Sequence, residues 1–262
     1  MTGRIRILAT ILVFAVGSGW LDAEEAAPGQ REKADVAVER HDRTGFFRRQ
    51  HESFLGRGRS GPVDLLFIGD SITAGWAKVP HIWDHYYGHR SAANFGIGGD
   101  RTQHVLWRIE QGELDAIDPK VVVLMIGTNN SGSHPPAEIV SAVEKLVGTI
   151  RAKLPRTQVL LLAIFPRGAR KDADGRVTPQ AEADAARRMH VIAETNFHLA
   201  RLDDGQVRFL DIGKVFLGQD GRIPFSLMPD QLHLSSAGYQ LWAEAIELSL
   251  SEMLGEAGAS IR

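Results

Sequence analysis

Short apolar runs stopped by glycine alternate along this chain with longer stretches in which apolar residues return every three or four positions. Leu65-Leu66-Phe67-Ile68 stops at Gly69, Ala92–Phe95 runs into Gly96, and Val121–Ile126 stops at Gly127. Val159–Ile164 and Val207–Ile212 have the same character. Runs this short and this apolar read as buried strands. Between them, Thr102–Gly112 carries Val105, Leu106 and Ile109, and Ala137–Leu154 carries Ile139, Val143, Leu146, Val147 and Ile150 before Pro155. Those spacings predict helices, as do Glu182–Leu202 and Ser235–Leu254. Five strands alternating with helices predict an α/β fold with a mostly parallel, doubly wound sheet, because each parallel crossover needs a connection of helix length.

The chain before the first strand has a different pattern. In residues 1–23, Arg4 and Arg6 precede an apolar run from Ile7 to Trp20, and Ala23 stands before Glu24-Glu25. A basic start, a short apolar middle and a small residue at the end predict a signal peptide, cleaved after Ala23 or Ala26, and hence a secreted or periplasmic protein. Gly17, Gly19 and the shortness of the run disfavour an uncleaved anchor, so no stable membrane insertion is expected after cleavage. Residues 24–60 then read as a polar linker to about Ala37 and an amphipathic arm over Arg40–Leu55, with Phe46, Phe47 and Phe54 on its apolar edge. Arg57–Pro62 reads as a glycine-rich turn into the main domain at 61–255, and 256–262 as a short tail.

Composition narrows the chemistry. The 262 residues carry a net charge of −2, which gives no bulk reason to expect nucleic acid as a partner. Cysteine is absent, so disulfides, thiolate catalysis and cysteine-ligated zinc are excluded, and stability rests on the core.

The first strand ends in Gly69-Asp70-Ser71, which places a serine at the carboxyl rim of the predicted sheet, where α/β proteins bind ligands. Taken alone, Gly-Asp-Ser is more often a helix cap than a catalytic site. A serine nucleophile needs a base and a group to orient that base, and Asp230 and His233, three residues apart before the last helix, could supply both. Acyl transfer also needs donors for a developing oxyanion. The Ser71 and Gly99 backbone N–H groups and the Asn129 side chain, each after a different strand, form a candidate set.

Gly69-Asp70-Ser71, Gly99, Gly127-Thr128-Asn129 and Asp230-x-x-His233 resemble the four ordered blocks of the SGNH (GDSL-type) hydrolase superfamily, over about Asp64 to Ser249. Within it, Asn94–Asp100, His104–Arg108, Gly112–Leu114, Gly127–Asn130 and Pro166-Arg167-Gly168 are most like the catalytic subunits of the intracellular platelet-activating-factor acetylhydrolase type. The resemblance implies a three-layer α/β/α flavodoxin-like domain and a metal-free serine esterase acting without a cofactor. In that family's roles Ser71 is nucleophile and oxyanion donor, Gly99 and Asn129 complete the oxyanion hole, His233 is the base and Asp230 orients it. The related subunits pair, which makes a homodimer a candidate assembly. Their cytosolic location contrasts with the signal peptide expected here and leaves the substrate open: a small ester, an acetylated polysaccharide, or a phospholipid or lysophospholipid acyl ester.

Other residues are weighed beside these. Asp70, adjacent to Ser71 in extended chain, points away from it and is expected to brace neighbouring loops. Trp76, Asn130 and Arg167 are candidate substrate-pocket residues. His81, His85 and His89 share a helical spacing that could bind a metal, but without a matching acidic set the expectation is no metal site. The competing class is a catalytically inactive, exported carbohydrate-binding or interaction domain. Such a domain would be expected to lack one of Ser71, Asp230 and His233, and all three are present.

Overall fold

Five strands, β1 (Leu65–Gly69), β2 (Ala92–Gly96), β3 (Val121–Met125), β4 (Gln158–Leu162) and β5 (Val207–Leu210), form one sheet in the order β2-β1-β3-β4-β5, with every pairing parallel. This is a computed structural model; it describes residues 31–256, and the expected signal peptide lies outside the described residues. β1 and β3 are buried at every position, as continuous apolar runs require. Successive side chains still part to opposite faces: Leu66, Ile68, Val122, Leu124, Val159 and Leu161 enter one core, while Leu65, Phe67, Val121, Val123, Leu160 and Leu162 enter the other.

The helices are α1 (Phe46–Arg59), α2 (Ser71–Ala74), α3 (Pro80–Tyr87), α4 (Thr102–Arg108), α5 (Pro136–Lys153), α6 (Pro179–Leu199) and α7 (Ser236–Leu254). The first core takes Phe47 and Phe54 of α1, Val105 of α4, Ile139 of α5 and Ile192 of α6. The second takes Ile82 of α3 and Trp242 and Ile246 of α7. The result is the expected three-layer α/β/α flavodoxin-like fold. Burying each large apolar side chain contributes roughly 1.5–3 kcal/mol. Helix starts follow local chemistry: Thr178 caps α6 by accepting from the Ala181 N–H at 3.2 Å, and Ser235 caps α7 by accepting from Gly238 at 3.2 Å. Among the described residues, no helix is long and apolar enough to cross a membrane.

Three local expectations are corrected. The segment from Glu32 is held against the domain rather than loose: Ala34 is fully buried, its carbonyl accepts from Thr102 Oγ1 at 2.8 Å, and the Val38 N–H donates to Gln103 O. The arm's helix begins at Phe46 and passes through Gly56 and Gly58 to Arg59. Asp42 fixes its start by accepting from the Phe46 and Phe47 N–H groups, and Phe54 stacks on Phe95 at 4.5 Å to hold its later turns. Finally, α4 closes at Arg108 instead of Gly112, because the turn through Ile109–Glu113 swings Glu113 inward to pair with Arg108.

The sheet order reverses direction at β1, which has β2 on one side and β3 on the other. A crevice opens at the carboxyl ends of strands on either side of such a point. Ser71, Gly99 and Asn129 follow β1, β2 and β3, so the topology delivers all three to this crevice.

Candidate active site

The serine sits on a tight strand-to-helix turn. Asp70 caps α2, its Oδ1 accepting from the Ile72 N–H at 2.9 Å, and Ser71 is the first helical residue. A first-turn N–H has no carbonyl partner within its own helix, so that of Ser71 remains to be offered outward. The turn is packed closely against β2: a Cβ at Gly96 would stand 2.3 Å from the Ala74 nitrogen, so only glycine fits there. From α7, the Tyr239 hydroxyl donates to Ile72 O at 2.7 Å and ties the turn to the last helix, within the core that both residues share. Tyr239 was not legible as a site residue, since a tyrosine at the start of an amphipathic helix looks like ordinary core.

His233 arrives from the other end of the chain. Its Nε2 is 2.9 Å from Ser71 Oγ, and its Nδ1 is 2.7 Å from Asp230 Oδ2. The same carboxylate holds the backbone of the turn, Oδ1 accepting from the His233 N–H at 2.7 Å and from Leu232 at 3.1 Å. Doubling back over three residues puts Gln231 at φ +62°, a left-handed conformation uncommon outside glycine and asparagine. Partial burial works against ionised Asp230, but the hydrogen bonds from the His233 ring and backbone outweigh it and hold the carboxyl well below the usual range. Such a chain can move a proton from the serine hydroxyl to the imidazole and stabilise the resulting imidazolium.

The remaining candidate donors flank Ser71. A Cβ on Gly98 would lie 3.8 Å from the Ser71 Cβ, and Gly99, exposed at φ +81°, continues the same loop. Asn129 Nδ2 donates to Asp100 O at 2.8 Å, which orients the amide and leaves its second hydrogen available. Asp100 itself is fully buried, and Arg40 reaches in from the N-terminal segment to donate to Gly98 O at 2.6 Å and to Asp100 Oδ1 at 3.2 Å. The support from Arg40 was also missed, because it stands at the start of the arm read as an amphipathic helix, where an arginine looks like an ordinary solvated residue.

The structure corrects two pocket expectations. Trp76 is 1% exposed, inside an aromatic cluster with Tyr239 and Trp242, and does not reach the rim. Asn130 is fully buried, accepting from the Thr102 N–H and donating to Thr102 Oγ1 and Gln103 Oε1, so it braces the start of α4. Arg167 is half-buried beside Thr128, the residue before Asn129. Of the three histidines, His81 and His85 lie on α3 and His89 falls beyond its end. Among the described residues, no three His, Asp or Glu side chains are grouped so as to hold a metal ion.

Asp70 caps its own helix instead of bracing neighbouring loops, and its Oδ2 is buried without a partner. Burial pushes this carboxyl up to about 7, against the pull of the Ile72 N–H and His233. Because the folded-state pKa lies above the unfolded one, stability is fully present below about pH 4 and declines as pH rises toward 7. Asp70→Asn keeps the capping oxygen and cannot ionise. It should match the parent near pH 4 and exceed it by about 2–4 kcal/mol at pH 8. Urea denaturation at both pH values measures this, and a variant less stable than the parent at pH 8 would refute it.

Comparisons with known proteins agree with this architecture. The model of the GDSL-like lipase/acylhydrolase family matches residues 67–241. Platelet-activating factor acetylhydrolase IB subunit alpha1 of Bos taurus is 33% identical over 218 residues, covering 80% of this chain and 87% of the relative. Among solved structures, a GDSL-like lipase from Bacteroides thetaiotaomicron superposes with a TM-score of 0.62 at 16% identity, covering 79% of this chain and 97% of that one. Est24, a carbohydrate acetylesterase from Sinorhizobium meliloti, gives 0.54 at 21% identity, covering 73% and 100%. These two likenesses are of fold.

Proposed function

The chain is an ester hydrolase that belongs to the GDSL-like lipase/acylhydrolase family, and we propose that it is an exported serine esterase removing short acyl groups, chiefly acetyl, through an acyl-enzyme. The observation that carries the reading is the continuous chain Ser71 Oγ, His233 Nε2, His233 Nδ1, Asp230 Oδ2, with links of 2.9 and 2.7 Å.

In this mechanism His233 Nε2 takes the hydroxyl proton as Ser71 Oγ bonds to the ester carbonyl carbon, and the carbonyl π electrons move to its oxygen. The oxyanion is met by the Ser71 and Gly99 N–H groups and by the Asn129 amide. Collapse breaks the bond to the alcohol oxygen, which leaves with the proton held by His233. Water then attacks the acyl-serine, again giving a proton to His233, which returns it to Ser71 Oγ as the acid departs. Asp230 holds the ring in the tautomer that accepts at Nε2 and stabilises the imidazolium between the two transfers.

Support for acetyl comes from the relatives, whose names describe acetylhydrolases acting on platelet-activating factor, while the structural neighbour named a carbohydrate acetylesterase shares only the fold. Export is supported by the pattern of residues 1–23. Both parts are tested by fractionating producing cells and assaying p-nitrophenyl esters of rising chain length. Activity should appear outside the cytoplasm and fall at least tenfold between acetyl and octanoyl esters. A preference for octanoyl would overturn the acetyl reading, and activity confined to the cytoplasm would overturn export.

A further inference from the structure

Beside the candidate triad the rim carries guanidinium charge that neither the proton relay nor the oxyanion donors use. Arg167 follows β4 and lies between the two loops that build the site. Its neighbour Gly168 donates its N–H to Gln231 O at 2.8 Å, on the His233 turn, while Arg167 Nη1 stands 3.3 Å from both Thr128 O and Thr128 Oγ1, next to Asn129. Its Nε is buried with no hydrogen-bond partner, and no carboxylate pairs with it among the described residues. Contrast Arg188, whose Nε donates to Asp184 Oδ2 at 2.5 Å, and Arg170, which reaches Asp230 Oδ2 at 3.5 Å.

Arg101, two residues past Gly99, is likewise half-buried without an ion-pair partner among the described residues. The carboxylate whose field it feels, Glu32, is turned to Gln103 at 3.1 Å and His104 at 3.7 Å. Arg188 repels both Arg101 and Arg167. Burial, reinforced by that repulsion, holds the Arg167 guanidinium down to about 10. A partly desolvated, forked cation with a vacant donor, on which the carboxylates of Asp184 and Asp70 act only without contact and against the repulsion of Arg188 and Arg170, has room for a direct counter-ion. Carboxylate and phosphate match its donor geometry.

We propose that Arg167 is an anion subsite: the preferred ester carries a carboxylate or phosphate near the acylated oxygen, and this group docks on Arg167. The proposal rests on Ser71 being the nucleophile of an esterase. It assigns Arg167 to substrate choice, not to the proton relay.

Three acetyl esters test it: 4-acetoxybenzoate, its neutral methyl ester, and 4-acetoxyphenyl phosphate, with phenol release giving kcat/KM. Relative to the neutral twin, at least one charged ester should lose about tenfold or more in Arg167→Gln, with Arg167→Lys recovering part of the preference. Which anion loses more identifies carboxylate or phosphate as the ligand. Equal losses for charged and neutral esters would show that Arg167 merely braces Thr128, and no loss would also overturn the proposal. Should Arg167→Gln fail to fold, Arg167→Met, which keeps the apolar stem without the charge, is the second variant, expected to shift the same ratio in the same direction. Binding without turnover keeps the two readings apart. Titrating 4-acetoxybenzoate and 4-acetoxyphenyl phosphate into Ser71→Ala by calorimetry should give, for the preferred anion, a Kd about tenfold lower than in Ser71→Ala/Arg167→Gln, even if no ester is hydrolysed by the parent. Equal Kd values in the two variants overturn the subsite whatever the fate of the esterase.

Discussion

Ser71→Ala is expected to lower kcat/KM for p-nitrophenyl acetate by about 10⁵-fold or more while leaving the protein folded. The hydroxyl is the only atom of the site proposed to bond to the acyl carbon, and Asn129, Gly99 and the Ser71 N–H survive the change. What remains is the catalysis that a bound ester gains from oxyanion donors alone. The cost in stability is small: one hydrogen bond to His233, roughly 1 kcal/mol, at a half-exposed position. His233→Ala should be nearly as severe, and the double variant no worse than either single one, because the two residues act in one step. Asp230→Ala should be milder in turnover but less stable, since its carboxylate also holds the Leu232 and His233 N–H groups. Steady-state kinetics with a fluorophosphonate label read by mass spectrometry decide the matter. Residual activity near that of the parent in Ser71→Ala, or a label found elsewhere, would remove Ser71 from the mechanism.

What could be read from the sequence divides along a physical line. The strands were legible because a parallel sheet covered on both faces demands uninterrupted apolar runs, and the runs at Leu65, Val121 and Val159 are too short for a buried helix and too apolar for a loop. Ser71, Gly99 and Asn129 could be grouped before any coordinates, because parallel strands deliver all their carboxyl ends to one rim. The Asp230–His233 spacing could be read because a carboxylate three residues before the histidine can reach both its ring and its backbone N–H.

Other contacts depend on which face of an element meets which neighbour, and composition does not encode that. Trp76 stands five residues from Ser71, yet the turn of the chain after Ala74 drives it into the core. Asn130 adjoins Asn129, yet its amide is fully taken up by Thr102 and Gln103 at the start of α4. Arg40 and Tyr239 reach the site across 58 and 167 positions of sequence, and their local surroundings resemble a polar arm and a core helix. Asp70 was assigned to a structural role, but its unpartnered oxygen could be seen only once the packing was known.

The other large effect should fall on stability, at Arg108. This side chain is fully buried, and its guanidinium donates to Asp100 Oδ2 at 2.9 Å, to Glu113 Oε2, and to Phe95 O at 3.1 Å. Arg108→Met fills much of the volume but strands two buried carboxylates, leaving Asp100 with Arg40 at 3.2 Å and the more distant His104 ring at 4.0 Å, and Glu113 with His51 at 2.8 Å. Removing one partner from a buried ionic network costs about 3–5 kcal/mol, a large share of what holds a domain folded. The pH dependence separates charge from packing. Burial already raises the Asp100 carboxyl above its ordinary value, with Arg108 the chief opposing influence, so removing Arg108 raises it further. A carboxyl whose folded pKa exceeds its unfolded one favours folding at low pH and disfavours it progressively as pH climbs through that interval. The deficit of Arg108→Met should therefore be largest near pH 8 and shrink toward pH 4, as measured by urea denaturation across that range. A deficit constant with pH would assign the loss to packing over Phe54, on which the guanidinium lies at 5.6 Å. Because the Asp100 carbonyl also anchors the Asn129 amide, the variant should lose turnover at temperatures where it is still folded, linking a buried ion pair with no access to the ester to the donor proposed to hold its oxyanion.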